Sequence, residues 1–111
     1  MQSDGVFLSA GGRDLDALRA RPLIVVLSQL EVHGIRYRVD PTFVPEKNRT
    51  TVRVTVSNDG GMVWEVLITG EKWFDTRTGR GSGGSVDLVM LLLRVPFKRA
   101  VSVLRALPVV G

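Results

Sequence analysis

From Thr51 to Ser57 the chain alternates without interruption: Val52, Val54 and Val56 fall on one side, Arg53 and Thr55 on the other. Successive side chains of a strand point to opposite faces, so this pattern predicts a strand with one apolar face and one wet, partly basic face. Asn58-Asp59-Gly60-Gly61 is a strong hairpin turn, and Met62 to Thr69 returns antiparallel to the first strand. Gly70-Glu71 turns the chain again ahead of a strand from Lys72 to Thr76. Upstream, Arg36 to Val39 predicts a short strand and Pro41 to Asn48 a loop.

The flanks carry the helical period instead. Leu15, Leu18, Leu23, Val26, Leu27 and Leu30, with Pro22 at a first helical position and Gly34 as the stop, predict one or two helices. After the strands, residues 85–93 with Ser85 as N-cap, and residues 97–107 behind Pro96, predict two more. Residues 1–12, polar and glycine-containing, are expected to form a flexible tail, leaving 13–111 as a single domain. The element order gives an α+β fold: an antiparallel sheet of three to four strands, an N-terminal helix and two C-terminal helices, with the helices on one sheet face.

Composition narrows the picture in three ways. At 111 residues and 44% hydrophobic content, one core is affordable but near the size where small domains become marginal. The chain has no cysteine, so neither a disulfide nor a thiolate metal site can reinforce it. No basic stretch precedes an apolar run at the start, and Pro22 to Val32 falls short of the roughly 20 residues a membrane span needs, so a cytoplasmic location without membrane contact is expected.

The net charge of +4 is unevenly placed. Residues 88–111 hold Arg94, Lys98, Arg99 and Arg105 with no acid, while a second cluster, Arg36, Arg38, Lys47, Arg49 and Arg53, meets only Asp40 and Glu46. A pI near 10.3 is in the range of nucleic-acid-binding domains. His33 is the single histidine, and the acids are scattered at spacings that fit solvated faces. No nucleophile, paired-carboxylate or metal constellation stands out, so an enzyme is not expected.

Thr76 to Met90, TRTGRGSGGSVDLVM, is the most specific stretch: a glycine-rich turn running into an amphipathic helix. Gly79, Gly81 and Gly84 satisfy the spacing of a dinucleotide loop, but that spacing has meaning inside a βαβ unit, and here a second helix follows the first. Glycines for a tight turn at positive φ are the simpler account. Amides at the helix N-terminus, beside Arg77 and Arg80, would still suit a phosphate.

The same stretch resembles the second metal knuckle of the zinc ribbon that opens bacterial replicative DNA primases, Cys-x-x-Cys-Gly-x-Gly-Gly-Asp followed by a helix. Arg77 and Arg80 stand at the cysteine positions, Ser85 replaces the acid, and Val86 to Met90 keep the helix start. Val95 to Val101, with Leu104, resembles the family's second helix. Asp40-Pro41-Thr42-Phe43 with Glu46-Lys47 resembles the first knuckle, Cys-Pro-x-His then Glu-Lys, with one residue added. Plasmid and phage proteins that carry a cysteine-poor ribbon beside a topoisomerase-primase domain are similar in style.

The resemblance implies a ribbon-like fold without metal, because zinc needs four Cys or His donors and Asp40, Phe43, Arg77 and Arg80 do not supply them. The longer span between the knuckles implies an inserted strand. Asp40 is expected to pair with Arg77 or Arg80 in place of the metal, the alternative being that both arginines meet phosphate.

The function implied is non-enzymatic binding of single-stranded DNA, or of a primed template, in plasmid or phage replication or DNA transfer, with no cofactor and no small-molecule substrate. The residues expected to bind are Arg36, Arg38, Arg53, Lys72, Trp73, Arg77 and Arg80: cations to track the backbone and an aromatic to stack a base. Core packing is the alternative for Trp64 and Trp73. The alternative function is a protein-interaction or inhibitory domain that docks on a primase, helicase or relaxase through Leu91, Leu92 and Val95 without touching nucleic acid.

Overall fold

The computed structural model describes residues 15–47 and 49–109; the expected tail at 1–12 lies outside them. Residues 15–19 are helical (α1). Helix α2, Leu23–Gln29, continues into a 3-10 turn, Leu30–His33, which ends at Gly34 with φ of 84°. Five strands follow: β1 Ile35–Val39, β2 Val52–Asn58, β3 Val63–Thr69, β4 Lys72–Asp75 and β5 Arg80–Gly83. Helices α3, Ser85–Leu93, and α4, Phe97–Ala106, complete the described chain. The strands make one antiparallel sheet in the order β1-β2-β3-β4-β5.

The fold is therefore α+β, with one strand more than the three to four expected. The additional strand is β5, Arg80-Gly81-Ser82-Gly83, which has no apolar alternation to reveal it. Its pairing depends on backbone and on β4, since Phe74 lies opposite Gly81 and Trp73 opposite Ser82. A Cβ at Gly81 would come within 2.9 Å of Phe74 Cδ1, so the phenyl ring occupies the space that a side chain on the edge strand would need.

Register sorts the strand residues into two faces. Val54 and Val66 face each other across β2 and β3, as do Val56 and Trp64; Ile68 sits opposite Trp73. All six are buried, in one core with Leu23, Leu27 and Leu30 of the N-terminal helical segment and Leu88, Leu92, Val101 and Leu104 of α3 and α4. The helices thus cover one face of the sheet. The other face, which carries Arg36, Arg38, Arg53, Lys72 and Phe74, is left open.

Three parts of the chain meet at Gly84. Its N–H donates to the Glu71 carbonyl at 2.6 Å, and its carbonyl accepts from Trp73 Nε1 at 3.1 Å. It caps the start of α3 with φ 96° and ψ 158°, a conformation nearly confined to glycine. A Cβ there would lie 3.1 Å from Arg19 Cβ and 3.2 Å from the Arg19 carbonyl oxygen, so α1 packs directly on the missing side chain. Ser85, expected as the N-cap, is instead the first helical residue, and its hydroxyl donates to the Leu18 carbonyl.

Gly84→Ala is expected to destabilise the protein by roughly 1–3 kcal/mol through backbone strain alone, with the Arg19 contact adding to it. Gly83→Ala, where no neighbouring atom lies within 4 Å, serves as the control and should lose much less. Urea unfolding of both variants checks the difference.

Candidate functional site

The open face is organised by cross-strand rows. Arg36 sits beside Ser57, which faces Val63; Arg38 sits beside Thr55, which faces Glu65. Arg53, Leu67, Phe74 and Gly81 form a row running from β2 to the β5 edge. Thr69 and Lys72 follow one step further along. Arg36, Arg38, Arg53, Thr55, Ser57 and Glu65 line a concavity of about 520 Å³. Arg36 pairs loosely with Asp59 at 3.8 Å, both side chains well exposed.

Asp40, just past β1, and Arg53 make a densely hydrogen-bonded contact on this face. Both Nε and a terminal nitrogen of Arg53 donate to Asp40 Oδ2. Oδ1 accepts from the Thr42 amide at 2.9 Å and the Thr42 hydroxyl at 2.7 Å. The backbones are tied too, Asp40 N–H donating to the Arg53 carbonyl at 2.8 Å. The Arg53 guanidinium, helped by the two Thr42 donors, holds the Asp40 carboxyl down to about 2 from its ordinary 3.8, and the carboxylate in turn raises Arg53. The Phe43 ring covers the guanidinium, 5.1 Å from ring centre to Cζ.

Of the residues expected to bind, Arg36, Arg38, Arg53 and Lys72 share the open face. Three others do not fit the expectation. Trp73 is 4% exposed and points into the core, where its indole N–H is used by Gly84, so it cannot stack a base. Arg77 sits in the turn after β4 at the rim of the face, donating to the Val63 carbonyl at 3.0 Å. Arg80 is in register with Asp75, whose side chain is buried, and so belongs to the opposite side of the sheet edge.

The expected pairing of Asp40 with Arg77 or Arg80 is replaced by Asp40 with Arg53. Arg80 is in register with Val39 across four strand spacings, roughly 19 Å at about 4.8 Å each, so the two expected knuckles lie on opposite edges of the sheet. Phe43 meets Arg53 rather than any metal ligand. Leu92, expected in a docking patch, is 1% exposed within the core, with Leu91 and Val95 packed partly against it.

Among the sheet aromatics, sequence reasoning gives the stacking role to Trp73 and not to its neighbour Phe74, which is the one exposed on the open face, at 43%. The signal is present nonetheless: in Lys72-Trp73-Phe74-Asp75 strict alternation puts Lys72 and Phe74 on one side and Trp73 on the other. Asp75, fully buried, accepts from the Arg77 amide and the Thr78 hydroxyl and so fixes the turn that begins β5. Because β4 and β5 are antiparallel neighbours, the spaced glycines lie in a hairpin, which removes the βαβ context of a dinucleotide loop. Among the described residues no group of three or more His, Asp or Glu side chains gathers as a metal site, and no helix is long and apolar enough to cross a membrane. Comparison with known proteins finds no family model, curated protein or solved structure that matches this chain.

Because folding lowers the Asp40 pKa, the Asp40 contribution to stability is present above the unfolded value near 3.8 and is lost as pH falls through about 2. Thermal unfolding of the wild type and Asp40→Asn across that window checks this. The wild type should be the more stable at the upper end, and the gap should close toward the acid end.

Proposed function

We propose that the chain is a non-enzymatic cytoplasmic module that binds single-stranded DNA, or the single-stranded part of a primed template, along the open sheet face, in the replication or transfer apparatus of a plasmid or phage. The observation that carries this reading is the grouping of Arg36, Arg38 and Arg53 around one concavity, with exposed Phe74 in the same cross-strand row as Arg53.

Arg36 and Arg38 are two residues apart on β1, about 6.6 Å along the strand, close to the spacing of successive phosphates in an extended single strand. Arg53 is diagonal to Arg38 across β1 and β2, about 7–8 Å away, so the three cations form a bent track. Phe74 stands two strands from Arg53, roughly 10 Å, where a base from a strand held on that track would reach it. The phenyl takes the stacking role expected of Trp73. A duplex, whose bases are already stacked, gains nothing from it. Arg38 and Lys72 have no ion pair among the described residues, so phosphate contact there displaces no protein carboxylate.

Docking on a primase, helicase or relaxase is the second reading, now supported by Val63, 40% exposed, and Phe74 on the same face rather than by Leu92. Salt separates the two, because phosphate contacts release counterions and apolar contacts do not.

Fluorescence anisotropy of a labelled oligodeoxythymidylate of roughly 12 nucleotides is the test. Phe74→Ala should weaken binding about tenfold, within the roughly 1–3 kcal/mol of one stacked base. Arg36→Ala and Arg38→Ala should each reduce the steepness of the log–log salt dependence by about 0.7 for every phosphate that the variant no longer neutralises. A folded protein that shows no binding at low salt leaves the docking reading in place of this one.

A further inference from the structure

We propose that Arg53 marks a nucleotide subsite that the loop between β1 and β2 keeps filled with its own side chains, Asp40 taking the place of a phosphate and Phe43 that of a base. The inference rests on the nucleic-acid reading above and specifies how that site is regulated.

An arginine recognises nucleic acid in two ways: the N–H edge of the guanidinium grips an anionic oxygen, and its flat face stacks on an aromatic ring. Arg53 does both at once within the protein. Its Nε and terminal N–H edge is committed to Asp40 Oδ2, and its face is covered by Phe43 at 5.1 Å. A carboxylate and a phenyl, three residues apart on one loop, thus present the two chemistries of a nucleotide to the cation at the Phe74 end of the track.

The loop is built to move without opening the core. Val44, Glu46 and Lys47 are exposed, and Phe43 and Pro45 only partly buried. Beneath them lies a concavity of about 370 Å³ shared with Thr51 and Leu67, where a tightly packed segment would leave none. Leu67 is the residue between Arg53 and Phe74 in their cross-strand row. Lifting the loop therefore frees the Arg53 guanidinium and uncovers the stretch that joins it to Phe74, so that cation, apolar floor and stacking ring become one continuous surface. The Asp40–Arg53 pair is partly exposed, 24% and 36% at the two side chains, so an incoming anion can reach the guanidinium and compete with the carboxylate without opening the core. A single strand that already engages Arg36 and Arg38 brings that anion to Arg53 at high local concentration.

If the loop is closed most of the time, the apparent affinity is reduced by the fraction that is open, and opening the loop restores it. Binding of the labelled oligodeoxythymidylate is measured for the wild type, Asp40→Asn and Phe43→Ala, each shown to be folded by its unfolding transition. Both variants should bind roughly three- to tenfold more tightly than the wild type. Phe43→Ala changes no charge, so its gain cannot come from removing a local negative field. In an Arg53→Ala background the gain from Asp40→Asn should vanish, because the loop then has nothing to occupy. Unchanged or weaker binding by Phe43→Ala, or a gain from Asp40→Asn that survives without Arg53, overturns the proposal while leaving the binding face intact. Absence of binding by the wild type and by both variants overturns the proposal and the nucleic-acid reading together.

Discussion

The arrangement depends on a glycine that no other residue can replace without strain. Gly84 is held by a backbone bond to Glu71 and by the Trp73 indole, takes a conformation that side chains disfavour, and lets α1 close against it. It fixes the exit of β5 into α3 on the core side of the sheet. Once α3 is placed there, α4 follows it onto the same side, and Ser85 ties the new helix back to Leu18. Both C-terminal helices are thereby committed to one face, and the other carries no helix, only the β1–β2 loop beside Arg53 and Leu67. The open face is thus a consequence of how the last strand leaves the sheet.

An antiparallel sheet with one solvated face is ordinary, so exposure alone says little about function. What distinguishes this face is the kind of side chain it exposes. Strand β1 is an edge, and edges are commonly protected by charge, which would account for Arg36 and Arg38 by themselves. Arg53 is on β2, with neighbours on both sides, and needs no such protection. Phe74 is also internal, and its exposed ring is costly to leave in water unless it covers something or binds something. Covering Gly81 explains one side of the ring; the other side faces out.

The strands and helices are legible in the sequence where side-chain period reports burial. Val52, Val54 and Val56, and the leucines of α2, announce their faces because burying them drives folding. Strand β5 is not legible, since two glycines and a serine carry no period and the strand is held by its neighbour's backbone and by Phe74. Trp73 is misplaced when aromatic identity is weighed above parity: one step along β4 changes solvent for core. The partner of Asp40 cannot be read from the chain because the resemblance sets the two knuckles side by side, whereas the sheet separates them by its full width. Arg53 lies thirteen residues from Asp40, and only the β1–β2 register brings them together.

Charge placement constrains how the open face can work. Most of the excess positive charge is in the C-terminal region, where Arg94, Lys98 and Arg99 are exposed on the helical layer, across the core from the open face. The face itself carries Arg36, Arg38, Arg53 and Lys72 against Asp40, Asp59 and Glu65, so it is nearly balanced. At physiological ionic strength fields are screened within about 8 Å, so the helical cations contribute little to an anion approaching from the sheet side. Capture there must come from contact geometry instead of from a broad positive field. In a nearly balanced site, one carboxylate bears heavily on the cation it pairs with, and for Arg53 that carboxylate is Asp40, which is why the proposed loop movement is centred on that pair.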